Sequence, residues 1–318
     1  MFAREKKLVI ILAMGLLMTA CMNTQKSEPK HASQSAKTAA KKAERACKKA
    51  NTAKLTKSSG NHTLEYQMNG FTTDFPGTIS RWNGFERCDF KVNGIPCILV
   101  KPDSTPDPAK RWYWRVHFGA FPYADFAMLK HGWYVAHITV HELYGSPESM
   151  RRFDLLYGFL TSMGFNKKTV IAGYSRGGLD TYMWATKNTD KVSCLYLDNP
   201  VCDFKSWPGG KGIGPGDKQG WKNCLKAWNF TEKQAMEFKG NPIDNLKPLA
   251  DARIPILHLC GDADEVVPPT ENTVIIEKRY KKLGGHIEVF WKRGAKHHPH
   301  CLKNPQPIVD FILKYNSK

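Results

Sequence analysis

The sequence predicts an α/β fold, with a mainly parallel central sheet and helices on both of its faces. The first observation is a hairpin signal, Asn93-Gly94 between two segments of alternating apolar residues. The second is the rest of the chain, where short apolar segments alternate with segments of helical period. Repeated strand–helix units of this kind form parallel sheets whose crossover helices cover both faces. We assign this domain to residues 81–318.

Each predicted element follows from local signals. The hairpin strands are residues 88–92 and 96–100, and further short apolar strands are predicted over residues 112–118, 134–138, 168–172, 192–197, 254–260 and 287–291. Helices are predicted over residues 124–131, from Pro147 to Gly164, from residue 176 onward, over 272–283 and over 308–315. The second helix has Ser146 as its cap, Pro147 at its first position and apolar residues at helical spacing.

Charge is distributed unevenly along the 318 residues, which carry a net charge of +18. More than half of it lies in residues 1–60, which hold 13 Lys and Arg against 3 Asp and Glu. The remainder is mildly basic and contains no motif of a nucleic-acid-binding domain. The glycine-rich residues 209–216 match no nucleotide-binding motif. We therefore expect no nucleic-acid partner and no cofactor.

The N-terminal residues 1–21 have the pattern of an export signal. Basic residues precede an apolar stretch, residues 8–17, that is too short to span a bilayer. The stretch ends in Leu-Met-Thr-Ala-Cys, which resembles the lipobox of bacterial lipoproteins except for Met18, where Leu is usual. The resemblance implies export, lipidation of Cys21 and anchoring to a bacterial membrane, since two or more acyl chains hold a protein there. The alternative is an ordinary secretory signal.

Residues 22–80 form a separate region of the sequence. Lys, Ala, Ser and Thr dominate it, and few large apolar residues are available to form a core. This composition predicts a basic, flexible tether between the anchor and the folded domain.

Seven cysteines lie in the predicted domain, and export permits disulfide bonds. Their spacing suggests one bond between Cys88 and Cys97 across the hairpin. A second bond between Cys202 and Cys224 would close a long excursion.

Residues 173–177 have the pattern G-x-S-x-G between an apolar strand and a predicted helix. This motif resembles the nucleophile elbow of the α/β-hydrolases, in which glycines permit a strained turn that exposes the serine. The resemblance covers about residues 85–318 and implies the α/β-hydrolase fold. It also implies that Ser175 is the nucleophile of a Ser-His-Asp triad.

The acid and the base are expected after later strands, in the family order. A G-x-x-D-x-x-V-P segment begins at Gly261 and aligns Asp264 with the triad acid; Asp262 and Glu265 are the alternatives. In the loop after residue 291 the family motif G-x-G-H aligns His297 with the base, although Lys296 replaces the second glycine. His298 and His300 therefore remain alternatives. A metal site of these histidines and Cys301 is not expected, because four ligands within five residues cannot readily surround one tetrahedral ion.

The remaining site residues are predicted from their positions. For the oxyanion, one donor is expected to be the backbone N–H of Arg176 at a helix N-terminus, and the other that of Gly119 or Ala120. For the substrate, we expect contacts from Arg176 and, in a loop over the pocket, from Trp207 and Lys211. The alternative for Arg176 is an ion pair with Asp180 one helical turn away. His117 is interpreted as a strand-end residue; residues 141–144 are also candidates for the pocket.

The predicted function is that of an exported serine hydrolase that cleaves carboxylic esters. Residues 144–147 and 199–211 resemble segments of hydrolases from polysaccharide-degrading bacteria, which implies a small-molecule or glycan ester as substrate, with acidic glycans favoured. Peptidases and acyltransferases share the same triad and stay open as alternatives. A catalytically silent glycan-binding lipoprotein is the alternative from another class. The oligomeric state is left open.

Overall fold

In a computed structural model of the protein, the described residues are 65–103 and 105–316. They contain eleven β-strands in one sheet. The strands are β1 (Tyr66–Met68), β2 (Phe71–Thr73), β3 (Thr78–Trp82), β4 (Phe85–Val92), β5 (Ile95–Val100), β6 (Trp112–Arg115), β7 (Tyr134–Ile138), β8 (Thr169–Tyr174), β9 (Val192–Asp198), β10 (Ile256–Gly261) and β11 (Ile287–Lys292).

The described residues also contain eight α-helices. They are α1 (Tyr123–Lys130), α2 (Pro147–Ser162), α3 (Gly177–Ala185), α4 (Lys218–Trp228), α5 (Glu232–Glu237), α6 (Lys247–Asp251), α7 (Thr273–Lys282) and α8 (Gln306–Lys314). Helices α1, α2, α3, α7 and α8 agree with the predicted ones to within a few residues. Helices α4 to α6 lie in the excursion between β9 and β10, where no helix is predicted from the sequence.

The sheet is antiparallel at one end and parallel over the rest, so the predicted α/β class is confirmed. The strand order is β1-β2-β4-β5-β7-β6-β8-β9-β10-β11, with β3 paired to β4. Strands β7, β6, β8, β9, β10 and β11 are mutually parallel. The predicted hairpin is β4–β5, with Val92 paired to Ile95 across Asn93-Gly94.

Two apolar layers lie on opposite faces of this sheet. In β6, Trp112 and Trp114 pack into one layer and Tyr113 into the other, and all three are fully buried. This alternation follows from the two-residue period of a strand. The layers bury β6 on both faces, as expected for a central parallel strand.

A third apolar cluster lies largely within the excursion, the segment between β9 and β10. It combines Phe204 and Trp207 from the loop after β9 with Trp221 and Cys224 from α4. Phe204 stacks on Phe238 with ring centroids 5.3 Å apart. The excursion therefore packs as a cap on Leu179 of α3 and on Tyr144, which belong to the same cluster.

The N-terminal boundary predicted from the sequence is wrong. The tether was predicted to extend to residue 80, yet β1, β2 and most of β3 lie within residues 66–80. The aromatic rings of this segment explain the difference, since Phe71 and Phe75 pack edge-on against Phe159 of α2. These few apolar side chains suffice because they add to the edge of an existing sheet. Residues 1–64, with the predicted signal, Cys21 and most of the tether, lie outside the described residues.

The predicted disulfide bonds are absent from the described residues, whose seven cysteines are all free and buried. Cys88 pairs with Leu99 and Cys97 with Phe90, so the two thiols do not face each other across the hairpin. Cys202 and Cys224 likewise pack as apolar side chains. Burial raises the pKa of Cys224 to about 12, which keeps this thiol protonated and unreactive.

Within residues 65–103 and 105–316, no helix combines the length and apolar character that crossing a bilayer requires.

Candidate active site

Ser175 lies on the sharp turn between β8 and α3. Its φ of 50° is in the left-handed region that non-glycine residues rarely adopt. The backbone holds this conformation, because the Ser175 N–H donates to Asp198 O (2.9 Å) and its carbonyl accepts from Val201 N (2.9 Å). The turn lifts the side chain above the end of β8, where it is half-buried.

The glycines of the motif make room for this turn. A Cβ on Gly173 would lie 2.4 Å from Thr181 Oγ1 and 2.7 Å from Gly177 O. A Cβ on Gly177 would lie 2.9 Å from the ring of His117. Both positions therefore require glycine for close packing between β8, α3 and β6, which is why the spacing in the sequence is informative.

His297 is brought to Ser175 by the loop that follows β11. Its Nε2 lies 2.8 Å from Ser175 Oγ, and its ring is 6% exposed. Asn199 holds the loop, since its side-chain amide donates to His297 O (2.8 Å) and its Oδ1 accepts from Gly261 N (2.7 Å). Asn199 thus ties the base to β9 and β10. Sequence reasoning missed it, because a buried asparagine after a strand has no motif.

Asp264 lies in the loop after β10 and completes the chain of hydrogen bonds. Its Oδ2 lies 2.7 Å from His297 Nδ1, and its Oδ1 accepts from the backbone N–H groups of Val266 and Val267, both at 2.9 Å. Because the carboxylate accepts the Nδ1 proton, the lone pair of His297 is on Nε2 and faces the serine hydroxyl. The arrangement can therefore accept a proton from Ser175.

The alternatives from the sequence occupy other positions. Glu265 is exposed, and Asp262 accepts from Gly294 N (2.6 Å), which holds the loop that carries the base. His298 is exposed and stacks beside Phe121, with ring centroids 5.8 Å apart. His300 is buried and its Nδ1 lies 2.9 Å from Asp198 Oδ1. The structure thus brings Asp264 and His297 to Ser175.

Arg176 extends from the turn into a charged cluster. Its guanidinium donates from Nη1 to Glu142 Oε1 and lies over the ring of Trp207, 5.3 Å from the centroid. Tyr144 OH and Asn223 Nδ2 (2.9 Å) also donate to Glu142. Burial alone would raise the pKa of Glu142, but these hydrogen bonds and the Arg176 charge lower it. Glu142 is therefore ionised at neutral pH, and the pair has no net charge.

One alternative for Arg176 is contradicted by the structure, and the predicted substrate contact of Lys211 stays a prediction. The alternative ion pair with Asp180 is wrong, because the buried Asp180 carboxylate instead accepts from Gly145 N (2.9 Å) and Ser149 Oγ (2.5 Å). Lys211 forms an ion pair with Glu232 (2.5 Å). In the described part of the chain, no hydrogen bond or ring contact links Lys211 to Ser175, His297 or Asp264.

The chain is similar to solved structures of longer peptidases. With acylaminoacyl peptidase from Pyrococcus horikoshii it shares 14% identity at a TM-score of 0.53, over 73% of this chain and 41% of that one. With dipeptidyl peptidase 4 from Porphyromonas gingivalis it shares 14% identity at a TM-score of 0.53, over 70% of this chain and 33% of that one. With a puromycin-hydrolyzing peptidase from Mycobacterium tuberculosis it shares 15% identity at a TM-score of 0.51, over 70% of this chain and 38% of that one. The protein has the α/β-hydrolase fold.

Residues 160–315 of this α/β-hydrolase match the sequence model of the prolyl oligopeptidase family, Peptidase_S9. The matched segment contains Ser175, Asp264 and His297. No curated protein sequence matches the chain. The chain spans 33% to 41% of the length of the three peptidases above. The matched segment is thus similar to this family, and the solved structures share its fold.

The predicted oxyanion donors are the backbone N–H of Arg176, directly after Ser175, and that of Gly119 or Ala120, in the loop after β6. Arg176 directly precedes α3, and its backbone N–H has no partner among the described residues. Gly119 and Ala120 belong to the loop after β6, and both are exposed. Within the described residues, their backbone N–H groups also make no hydrogen bond. The N–H groups of the expected donor pair thus have no other partner among the described residues, and their role in binding an oxyanion stays a prediction.

Arg115 holds the loop after β6 from below. Its fully buried guanidinium donates from Nε to His117 O (2.7 Å) and from Nη2 to Ala120 O (2.6 Å). Asp125 of α1 lies 3.3 Å from Nη1 and compensates the charge. Because both carbonyl groups turn toward Arg115, this residue sets the conformation of Gly119. Sequence reasoning missed it, since an arginine at the end of an apolar strand has no characteristic pattern.

We predict that Arg115→Lys lowers kcat of the hydrolase about 10- to 100-fold while KM changes little. Lysine keeps the buried charge but lacks the planar fork whose separate nitrogens donate to His117 O and Ala120 O, and loss of one oxyanion donor costs about 10²- to 10³-fold in kcat. Steady-state kinetics and the melting temperature are measured together. The control is Arg111→Lys, in which the changed side chain pairs with Asp107 just before β6. An unchanged kcat in folded Arg115→Lys would show that the loop after β6 keeps its conformation without the hydrogen bonds from Arg115.

Proposed function

We propose that the protein is a serine hydrolase that cleaves carboxylic esters through an acyl-enzyme. The observation that carries the proposal is the chain of hydrogen bonds from Ser175 Oγ to His297 Nε2 (2.8 Å) and from His297 Nδ1 to Asp264 Oδ2 (2.7 Å). Nucleophile, base and orienting acid are within contact distance without rearrangement, which is the geometry of this chemistry.

In the proposed reaction, Ser175 Oγ attacks the ester carbonyl carbon while His297 Nε2 takes the hydroxyl proton. Asp264 stabilises the imidazolium that forms. The negative charge that develops on the carbonyl oxygen is placed near the Arg176 N–H and the loop of Gly119 and Ala120. His297 then protonates the leaving alcohol. In the second half, His297 takes a proton from the water that attacks the acyl-enzyme, and it gives this proton to Ser175 Oγ as the carboxylic acid is released.

The test of this mechanism is the pair Ser175→Ala and His297→Ala. Each variant is expected to lose at least about 10⁴-fold in ester turnover, because nucleophile and base act as a unit. A fluorophosphonate is expected to label Ser175 alone, as measured by mass spectrometry.

The matched control for the base is His298→Ala, which removes the neighbouring imidazole and is expected to retain most of the activity. Near-wild-type turnover in His297→Ala would transfer the role to His298. A wild-type protein that no fluorophosphonate labels would favour the catalytically silent glycan-binding alternative.

For the substrate, we propose an ester on a glycan, with the methyl ester of a uronic acid as the favoured class. Arg176 presents a planar donor beside Ser175, and Glu142 cancels its charge, so a neutral ester carbonyl is accepted without an unpaired charge. After cleavage, the new carboxylate lies close to Glu142, and the repulsion between like charges favours its release. The resemblance of residues 199–211 to hydrolases of polysaccharide-degrading bacteria supports a glycan.

We expect Arg176→Ala to lower kcat/KM for a methyl uronate oligomer about 10- to 100-fold. Loss of a hydrogen bond to a charged group costs about 1.5–3 kcal/mol. An acetylated neutral sugar is expected to be affected less. Lys233→Ala is the control, because it removes an exposed cation of the same excursion that pairs with Glu237. Equal losses for both substrates would reject Arg176 as a specificity residue.

A serine peptidase is the second candidate, favoured by the match of residues 160–315 to the prolyl oligopeptidase family. The decisive comparison uses 4-nitrophenyl ester and 4-nitroanilide substrates with the same acyl group. Because the acyl-enzyme is identical, the ratio of the two kcat/KM values reports amide cleavage alone. An anilide rate comparable to the ester rate would identify a peptidase.

We also propose that Cys21 carries a lipid that anchors the exported protein to a bacterial membrane. The support is the Leu-Met-Thr-Ala-Cys pattern after an apolar stretch in the sequence. Cys21→Ala is expected to release the protein from the membrane fraction of its native host. A wild-type N-terminal peptide that carries no lipid by mass spectrometry would contradict the anchor.

A further inference from the structure

Three histidines of the loop after β11 are clustered beside Ser175. One ring nitrogen of each of His297, His298 and His300 lies within 4.8 Å of those of the other two. Their ring centroids are 4.7 to 5.0 Å apart, and the rings are nearly perpendicular to one another. In the part of the chain that the structure describes, no other three histidine, cysteine or acidic residues are grouped in this way.

Two of these imidazoles have a carboxylate at Nδ1, the kind of partner that orients histidines which bind metals. Asp264 lies 2.7 Å from His297 Nδ1, and Asp198 lies 2.9 Å from His300 Nδ1. A carboxylate at one ring nitrogen fixes the tautomer and makes the other nitrogen the lone-pair donor, as in carboxylate–histidine–zinc arrangements. In His300 that nitrogen, Nε2, is buried and has no hydrogen-bond partner among the described residues. A buried polar atom without a partner is costly, and a bound ion would satisfy it.

Contrary to the expectation from the sequence, we propose that His297, His298 and His300 bind a divalent transition-metal ion such as Zn²⁺, and that the bound ion reversibly inhibits the proposed hydrolase. The objection to four protein ligands within five residues does not apply, because Cys301 is not part of this group of three. Zn–N bonds of about 2.0–2.1 Å in a tetrahedral site require nitrogens roughly 3.3 Å apart. His298 is exposed, so its side chain can turn to bring its nitrogen this close. The fourth position faces solvent and takes a water molecule. Three imidazoles suit Zn²⁺, Cu²⁺ or Ni²⁺, whereas Ca²⁺ and Mg²⁺ prefer oxygen ligands.

Inhibition follows from the atom that the ion occupies. The Nε2 lone pair of His297 accepts the hydrogen bond of Ser175, and the same lone pair would bind the metal. Ser175 then keeps its hydroxyl proton and is not activated. This consequence rests on the proposed function, whereas metal binding itself does not.

Binding is tested first, in Ser175→Ala protein, so that catalysis plays no part. Titration with Zn²⁺ in a calorimeter is expected to show one site, and Co²⁺ is expected to give the visible absorption of a tetrahedral complex. His298→Asn, introduced into the Ser175→Ala protein, is expected to weaken Zn²⁺ binding by at least about tenfold. Replacing a residue that only supports a metal ligand already costs this much affinity. His286→Asn, at an exposed histidine of another loop, is the matched control. Equal affinity in the His298 and His286 variants would overturn the site.

Inhibition is tested in the wild-type protein by the rate at which a fluorophosphonate labels Ser175. Zn²⁺ is expected to slow labelling, a chelator to restore it, and Mg²⁺ at the same concentration to have no effect. The Zn²⁺ concentration that halves the labelling rate is expected to rise at least about tenfold in His298→Asn. Unchanged labelling at saturating Zn²⁺ would overturn the inhibition. If no fluorophosphonate labels the wild-type protein even without Zn²⁺, the proposed function is overturned, and the inhibition with it. The calorimetric titration would still decide whether the metal site exists.

Discussion

The site depends on neighbouring parallel strands that end in register. Tyr174, the last residue of β8, pairs with Asp198, the last residue of β9, and Asp198 pairs with Leu259 of β10. Gly261 and Lys292, which end β10 and β11, pair with each other. Because the carboxyl ends of parallel strands meet at one edge of a sheet, the turn and the two loops that follow them start side by side. A one-residue slip would reverse the faces of a strand and separate the three side chains.

Buried charges hold these loops, and each is compensated. Burial alone would raise the pKa of Asp198, but the hydrogen bond from His300 and the charge of Lys292 (2.9 Å) lower it. The same carboxylate accepts from Cys301 N (2.7 Å), so it anchors both ends of the loop that carries His297. Arg115 and Asp125 do the same for the loop after β6. Such pairs add little net stability, since desolvation offsets their attraction, but they select one loop conformation.

The sequence predicted the parts of the molecule that have local signals. The parallel strands, their crossover helices and the G-x-S-x-G turn follow from apolar periodicity and glycine spacing, and Asp264 and His297 follow from their places after β10 and β11. The strands within residues 66–80 were missed, because a short edge segment in a polar region has no periodicity of its own. Glu142 as the partner of Arg176 was missed for another reason: 34 positions separate them, and only the packing of the cap brings them together.

Chemistry and specificity therefore have different physical origins in this chain. The reacting groups stand on strand ends, where the sheet determines their spacing, and this arrangement is common to hydrolases with different substrates. The environment of the substrate comes instead from the excursion between β9 and β10, which supplies Trp207 and Asn223 to the Arg176–Glu142 pair. Because that pair is neutral as a whole, it orients a hydrogen-bond donor without attracting anions. Under the proposed function, a site built in this way would distinguish an ester from its carboxylate product by charge.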